Sequence, residues 1–169
     1  MAKPVRLKDQ SILIDAPREM IYQKMAAFNQ GRYSDDSAEY SKITSRDGDS
    51  LVVEFKIKAG IFTYKTVENI TLYAPERITF DGVSGPLDYS YEEFVFEDVD
   101  GQTKLTPTGE ILWKRFPFFG WLGTLIYTRP MFHRVIDQHL VEVKVSCEAR
   151  AARSHVFKRR KRQPSESQS

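Results

Sequence analysis

The amino-acid sequence predicts an α+β fold in which a curved antiparallel β-sheet wraps around one long C-terminal α-helix. Two observations carry this prediction. Between residues 39 and 113, apolar and polar side chains alternate with a period of two, and turn residues interrupt the pattern as they do between hairpin strands. Between residues 119 and 157, apolar side chains recur at steps of three and four, as on one face of a helix. A sheet that grips a helix leaves a cavity, so this architecture favours ligand binding.

Composition sets the broad class. The 169 residues are 41% hydrophobic, 28% charged and 12% aromatic, which suits one domain with one substantial core and enough aromatic side chains to line a pocket. The single cysteine, Cys147, excludes an intramolecular disulfide and fits a reducing compartment. The sequence predicts neither a signal peptide nor a segment long and apolar enough to span a bilayer. We therefore expect a soluble, cytoplasmic protein.

The positive net charge comes from the C-terminus. Residues 150–169 hold seven cations and one acid, and the remaining chain has 18 basic against 22 acidic residues. We predict one folded domain over residues 1–157 and a disordered basic tail over residues 158–169, where apolar residues are absent. The tail either binds anionic lipid headgroups or nucleic-acid phosphates, or stays solvated. Its cations are Lys158, Arg159, Arg160, Lys161 and Arg162.

A strand and a short helix open the predicted fold. Val5 to Ile14 has strand character, and Asp15 or Ala16 is expected to cap a helix whose first position is Pro17. Residues 29–38 are polar, and they form either a loop or a second short helix.

Strands follow over residues 51–58, 61–73, 77–83, 87–97 and 103–113. In the fourth of these, two tyrosines share one phase of the alternation while Phe94 and Phe96 share the other. We predict a bulge at residues 92–93 that brings all four aromatic side chains to one face, whereas a regular strand sends Tyr89 and Tyr91 outward. Pro107 predicts an edge or a bulge in the last strand. Pro130 predicts a kink or a break in the terminal helix.

A family resemblance supports this architecture. The strand-to-helix junction at residues 12–22 (ILIDAPREMIY) resembles the START-like helix-grip superfamily. The segments at residues 75–78 (PERI) and 85–87 (GPL), together with the terminal helix, resemble its polyketide cyclase/dehydrase branch, which also holds coenzyme-Q-binding proteins. The resemblance covers residues 5–153. It implies an apolar ligand such as a lipid, a quinone or a polyketide, held between the sheet and the long helix. Some relatives are cyclases or dehydratases, and some act on ribosomes.

The residues expected to line the cavity face inward in the predicted pattern or lie on the apolar face of the terminal helix. They are Ile57, Tyr64, Glu68, Phe80, Tyr91, Phe94, Trp113, Phe132 and Ile136. The alternative is that these side chains fill a solid core. Glu68 is the most informative of them, because it shares its phase with apolar neighbours and is expected to be desolvated if it faces inward. It then serves as a hydrogen-bond anchor or a general acid, unless a local twist turns it to solvent.

No nucleophile stands beside a base in this sequence, and the three histidines of the terminal helix are spaced by six and sixteen residues. This spacing does not place them on one helix face, so neither a metal site nor a cofactor is predicted. An enzyme remains the main alternative to a carrier. In that hypothesis, Glu68, Tyr91 or Arg129 polarises the carbonyl group of a polyketide.

A short basic and aromatic segment precedes the terminal helix. It contains Lys114, Arg115, Phe118, Phe119 and Trp121, a composition typical of contact with a membrane interface. The alternative is that its aromatic side chains close one end of the sheet. We predict a carrier that takes its ligand near an anionic membrane, with docking of the basic tail on RNA or ribosomes as a third hypothesis.

Overall fold

A computed structural model describes residues 4–7, 10–28, 39–59, 62–112 and 129–162 of the chain, with the side chains of residues 59, 62 and 155–162 left undescribed. In chain order its elements are β1 (Val5–Arg6), β2 (Ile12–Ile14), α1 (Arg18–Met25), β3 (Tyr40–Asp47), β4 (Ser50–Ala59), β5 (Phe62–Tyr73), β6 (Arg77–Ser84), β7 (Tyr89–Val99), β8 (Gln102–Leu112) and α2 (Arg129–Arg162).

The strands form one antiparallel sheet in the order β1-β8-β7-β6-β5-β4-β3, and β2 also pairs with β8. From β3 to β8 the strands follow one another as a meander. The two helices lie against one face of this sheet, which we call the inner face. The predicted α+β architecture is therefore confirmed. None of the helices in the described ranges is both long enough and apolar enough to cross a membrane.

The predicted first strand consists of two short strands on the same neighbour. Val5 of β1 pairs with Ile111, and Ile12 of β2 pairs with Leu105. Pro107 falls between these two points of pairing, while the register between β7 and β8 continues past it without a shift. Proline has no backbone N–H, so this stretch of β8, which neither short strand pairs, accommodates it without loss of a ladder hydrogen bond.

Alternation of apolar side chains builds the core between the inner face and the helices. Completely buried residues of the central strands lie at alternate positions, among them Ile78, Leu105 and Ile111. Helix α2 adds Leu140, Val143, Cys147 and Ala151 at helical spacing, all buried in the same cluster. The core therefore joins the N-terminal and C-terminal elements through the sheet.

Helix α1 begins one residue later than predicted. Pro17 itself is the N-cap residue, with extended backbone angles, and its carbonyl accepts a hydrogen bond from the amide of Met20 at 3.0 Å. The preceding carbonyl, that of Ala16, accepts a hydrogen bond of 2.7 Å from the hydroxyl of Thr103, which is completely buried. Since a buried backbone carbonyl needs a partner, Thr103 stabilises the junction between β2 and α1.

Helix α2 holds the same junction from its other side. The Lys144 ammonium donates a hydrogen bond of 2.6 Å to the carbonyl of Leu13, and the Glu148 carboxylate accepts one of 2.9 Å from the amide of Asp15. Lys144 and Glu148 also pair with each other at 3.2 Å. The amide of Asp15 lowers the pKa of Glu148, because the hydrogen bond favours the ionised carboxylate.

The backbone of α2 extends into the segment predicted to be the tail. Helix α2 continues to Arg162, and the boundary between folded domain and tail remains a prediction. Lys and Arg are good helix formers, and cations near a helix C-terminus interact favourably with its dipole, so lack of apolar residues does not end the helix. Residues 163–169 lie outside the described residues. Within the described residues, Pro130 lies in the first turn of α2, where its missing N–H costs no intrahelical hydrogen bond. The predicted kink concerns residues before Arg129, which are also outside the described ranges.

Replacing Thr103 by Val tests the junction. Valine keeps the shape of the side chain but leaves the Ala16 carbonyl without its partner, so the variant should lose about 1–3 kcal/mol of unfolding free energy in urea titrations. Thr106→Val is the matched control on the same strand, because the Thr106 hydroxyl makes an exposed contact of 3.1 Å with Ser11. We expect the control to change stability by less than about 0.5 kcal/mol. Equal effects of the two variants would contradict the assigned role of Thr103.

Candidate functional site: the inner face of the sheet

The site is built on the pairing of β4 with β5. Leu51, Val53, Phe55 and Ile57 pair directly with Ile70, Glu68, Thr66 and Tyr64 respectively, so all eight share the inner face. Their burial changes along the strands. Leu51, Val53 and Ile70 are at most 3% exposed, whereas the residues from Phe55 and Thr66 toward Ile57 and Tyr64 are half-buried. One end of the inner face is thus closed core, and the other end keeps partly accessible apolar and aromatic surface.

Aromatic rings continue this surface across the sheet. Phe28, three residues after α1, makes edge-to-face contacts with Phe55 and Phe80, with ring centroids 6.1 Å and 6.0 Å apart. Phe80 makes a further contact with Phe94, at 5.5 Å. Three strands and the segment after α1 therefore contribute to one aromatic cluster. Its members are half-buried except Phe94, which is buried.

The predicted bulge in β7 is absent, which removes Tyr91 from the site. Strand β7 pairs with β8 without interruption from Tyr89 to Val99, and its pairing with β6 is equally regular. Tyr91 therefore lies on the outer face, opposite Asp81, where burial first and then the nearby charges of Glu93 and Asp81 raise its pKa. The regular strand is more stable, because a bulge at residues 92–93 would disrupt the backbone hydrogen bonds of β7 to both of its neighbours, β6 and β8.

Regular alternation instead brings Glu92 to the inner face, in phase with Phe94 and Phe96. The sequence analysis did not identify Glu92 as an inner-face residue. Its position two and four residues before the two phenylalanines indicates the same face in a regular strand. The register places Glu92 opposite Phe80 of β6, and Glu68 of β5 opposite Gly82 of the same strand. Both carboxyl groups thus project from the inner face on either side of β6.

Gly82 lies opposite Glu68 on the inner face and has no side chain of its own, and the hydroxyl group of Ser90 fills the position that its Cβ would take. A Cβ atom added there would lie 2.1 Å from the Oγ atom of Ser90, so any larger residue forces Ser90 or the strand to move. The charge of Glu68 contributes to the raised pKa of Glu92 across β6, after the larger effect of burial.

Electrostatics separates the roles of the two acids. Burial raises the pKa of Glu68, while a hydrogen bond of 3.2 Å from the Thr66 hydroxyl opposes that rise. Burial, followed by the charge of Glu68, raises the pKa of Glu92 to about 8. Glu68 therefore ionises first, and Glu92 keeps its proton at neutral pH. One acceptor and one acid then stand on the same apolar surface, an arrangement that can orient a polar group of a ligand.

The remaining predicted residues are spread more widely. On α2, Ile136 is buried and Phe132 packs partly against the core, so both face the sheet as expected, and Arg129 is half-buried at the start of the helix. Trp113 and the predicted membrane-contact residues Lys114, Arg115, Phe118, Phe119 and Trp121 lie outside the described residues. For the basic cluster Lys158, Arg159, Arg160, Lys161 and Arg162 the structure describes the helical backbone alone. Their roles remain predictions.

Helix α2 lies close to the sheet at β8. A crevice lined by Leu7, Gln10, Pro107, Thr108, His133 and Ile136 is too narrow to admit a water molecule. The Oε1 atom of Gln10 is buried there without a hydrogen-bond partner among the described residues. Partly accessible inner-face surface is therefore found toward β4, β5 and β6 and not at this edge.

The fold has relatives among solved structures, whereas neither a protein-family model nor a curated protein matches the sequence. The Zhui aromatase/cyclase from Streptomyces sp. R1128 matches with a TM-score of 0.66 and 15% identity, over 89% of this chain and 95% of that chain. A START superfamily protein from Mycobacterium smegmatis matches with a TM-score of 0.62 and 14% identity, over 88% and 99%.

A protein from Thermus thermophilus matches equally well, with a TM-score of 0.62 and 15% identity over 89% of this chain and 99% of that chain. At such low identities these matches define the fold and not the activity. The chain accordingly has a START-like helix-grip fold of the polyketide cyclase type, as the resemblance predicted.

Replacing Glu92 by Gln tests the electrostatics of the inner face. In the unfolded chain this carboxyl titrates near 4.5, and in the folded protein near 8. Between these values the folded state binds more protons, so wild-type stability should fall as the pH rises. The substituted amide does not titrate, so in urea titrations at about pH 6 and about pH 9 the variant should lose less stability than the wild type, with a difference on the order of a few kcal/mol.

Glu110→Gln is the control for this experiment, since Glu110 is exposed on the outer face of β8. It should keep the pH dependence of the wild type. Parallel stability profiles for the wild type and Glu92→Gln would show that Glu92 is not desolvated.

Proposed function

We propose that this protein binds an apolar small molecule on the inner face of the sheet, beneath the long helix, and carries or presents it without covalent chemistry. The observation that supports this most is the half-buried apolar and aromatic surface formed by Phe55, Ile57, Tyr64 and Phe80. In a solid core these side chains would be completely buried, as Val53 and Ile70 are at the other end of the same strands.

The energetics of such a site are those of desolvation with one or two polar anchors. Each Å² of apolar surface removed from water contributes about 25 cal/mol, so a lipid, quinone or polyketide-like molecule that covers these rings gains most of its affinity from them. Glu68 and Glu92 then set the orientation of the polar end of the ligand. The structural matches to a START superfamily protein and to an aromatase/cyclase support a ligand-binding or cyclase role in general.

Catalysis is the second candidate function, and one observation favours it. A carboxylate beside a protonated carboxylic acid, as in Glu68 and Glu92, is an arrangement that general acid–base chemistry uses. The cyclase hypothesis in its original form is weakened, because Tyr91 lies on the outer face. The two functions differ in what Glu68→Gln does: in an enzyme it abolishes turnover and retains ligand binding, and in a carrier it changes affinity alone.

The first experiment is native mass spectrometry of the protein purified from its own host, followed by extraction and identification of any bound molecule. A lipid, quinone or polyketide present at near-unit stoichiometry would support the carrier function and name its ligand class. Protein that is empty and also fails to take up apolar probes would contradict it.

A pair of tryptophan variants tests the position of the site. Ile57→Trp adds bulk to the inner face, whereas Lys58→Trp adds the same side chain at the next, outward-facing position. We expect Ile57→Trp to weaken binding of the neutral fluorescent probe N-phenyl-1-naphthylamine by about tenfold or more, and Lys58→Trp to leave it unchanged. Circular dichroism confirms that both variants fold. Equal affinity of the two variants would place the probe elsewhere on the protein.

A further inference from the structure

The five strands from β4 to β8 distribute their charges unequally between the two faces. Their lysines and arginines all occupy outward-facing positions of the register, namely Lys56, Lys58, Lys65, Arg77 and Lys104. Two glutamates, by contrast, occupy the inner face within the partly accessible region. In this part of the chain the inner face therefore offers negative charge and no positive charge.

These two inner-face acids lack the compensation that other acids of the sheet receive. Asp98, also in the inner phase but at the opposite end of β7, pairs with Arg18 at 3.4 Å, and the outward Glu93 pairs with Arg77 at 3.1 Å. Glu68 accepts a hydrogen bond from the Thr66 hydroxyl and makes no ion pair with a cation of the described residues. Among the described charged groups, the one that acts on Glu92 is Glu68, which is itself negative.

Glu68 and Glu92 are accessible to a ligand, because both are half-buried and Gly82 between them is exposed. The Ser90 hydroxyl lies over Gly82, and Phe80 occupies the next inner position of that strand. A molecule lying on Phe80 and Phe55 therefore brings one end to Glu68 and Glu92. A positive charge at that end would be attracted to the Glu68 carboxylate and would favour ionisation of the neighbouring Glu92, whereas a negative charge would be repelled.

We propose that the inner-face site selects an amphiphile whose polar end is a protonated amine, and that it discriminates against anionic amphiphiles such as fatty acids. This inference depends on the proposed apolar site, because it specifies which polar end that site accepts. Glu68 and Glu92 are the residues that determine the selectivity, and the aromatic cluster supplies the affinity for the apolar tail.

Three probes with the same tail test the inference: decylammonium, decanol and decanoate, titrated at neutral pH below their aggregation concentrations by displacement of N-phenyl-1-naphthylamine. We expect decylammonium to bind about tenfold or more tightly than decanol, and decanoate to bind most weakly. In the double variant Glu68→Gln with Glu92→Gln, the amine and the alcohol should bind alike, because the charge is gone while the tail contacts remain.

A second double variant excludes a general effect of net charge. Glu97→Gln with Glu110→Gln removes two exposed, outward-facing carboxylates of the same sheet and should keep the preference for the amine. An amine that binds no more tightly than decanol, or a preference that survives in the inner-face double variant, would overturn the charge selectivity while leaving the apolar site intact. Failure of all three probes and of N-phenyl-1-naphthylamine would overturn the apolar site itself.

Discussion

Uninterrupted antiparallel pairing from β6 through β8 is the constraint on which the other features of this protein depend. Because side chains alternate strictly between the two faces, a slip of one residue would exchange the whole inner set for the outer set. Strand β7 has ladders on both sides and keeps one register along its length. That register places Phe94 and Phe96 in the core, adds Glu92 to the same face and sends Tyr91 to the other.

Irregularities occur where they disturb the core least. The register shift between β3 and β4 falls between Ile43 and Ser45, on a mostly exposed edge strand. The shift between β5 and β6 falls near Ser84, where β6 is exposed and close to its end. Both are compatible with the helices packed on the central strands, since the buried parts of those strands remain regular.

Much of the fold could be predicted from the sequence, because period-two and helical patterns are local properties. The inward phase of Glu68 also followed from its apolar neighbours on one strand. The error in β7 came from the assumption that aromatic side chains gather on one face, yet tyrosine combines an apolar ring with a hydroxyl and is tolerated on a solvated face. Apolar content says little about where α2 ends, because a helix can extend beyond its packed segment.

The carboxyl pair was beyond sequence reasoning for a different reason. Glu68 and Glu92 lie two strands apart, and their relation depends on the register of β6 with both of its neighbours. Periodicity within one strand assigns a face to each residue, but it does not assign a neighbour across another strand. Pairings between distant segments of the chain are needed for that, and they became visible only in the assembled sheet.

The hydrogen bonds that Lys144 and Glu148 of α2 make to the β2–α1 junction have a consequence for how the chain folds. Lys144 binds the carbonyl of Leu13, and Glu148 binds the amide of Asp15, across 131 and 133 positions of sequence. Strands β1 and β2 also pair with a late segment, β8, so they join the sheet only after β8 has been synthesised. During synthesis the meander from β3 to β8 is complete before α2 exists, so its apolar inner face stays uncovered until the packed part of that helix has left the ribosome. Such late, non-local closure slows folding and leaves apolar surface of the nascent chain exposed to aggregation.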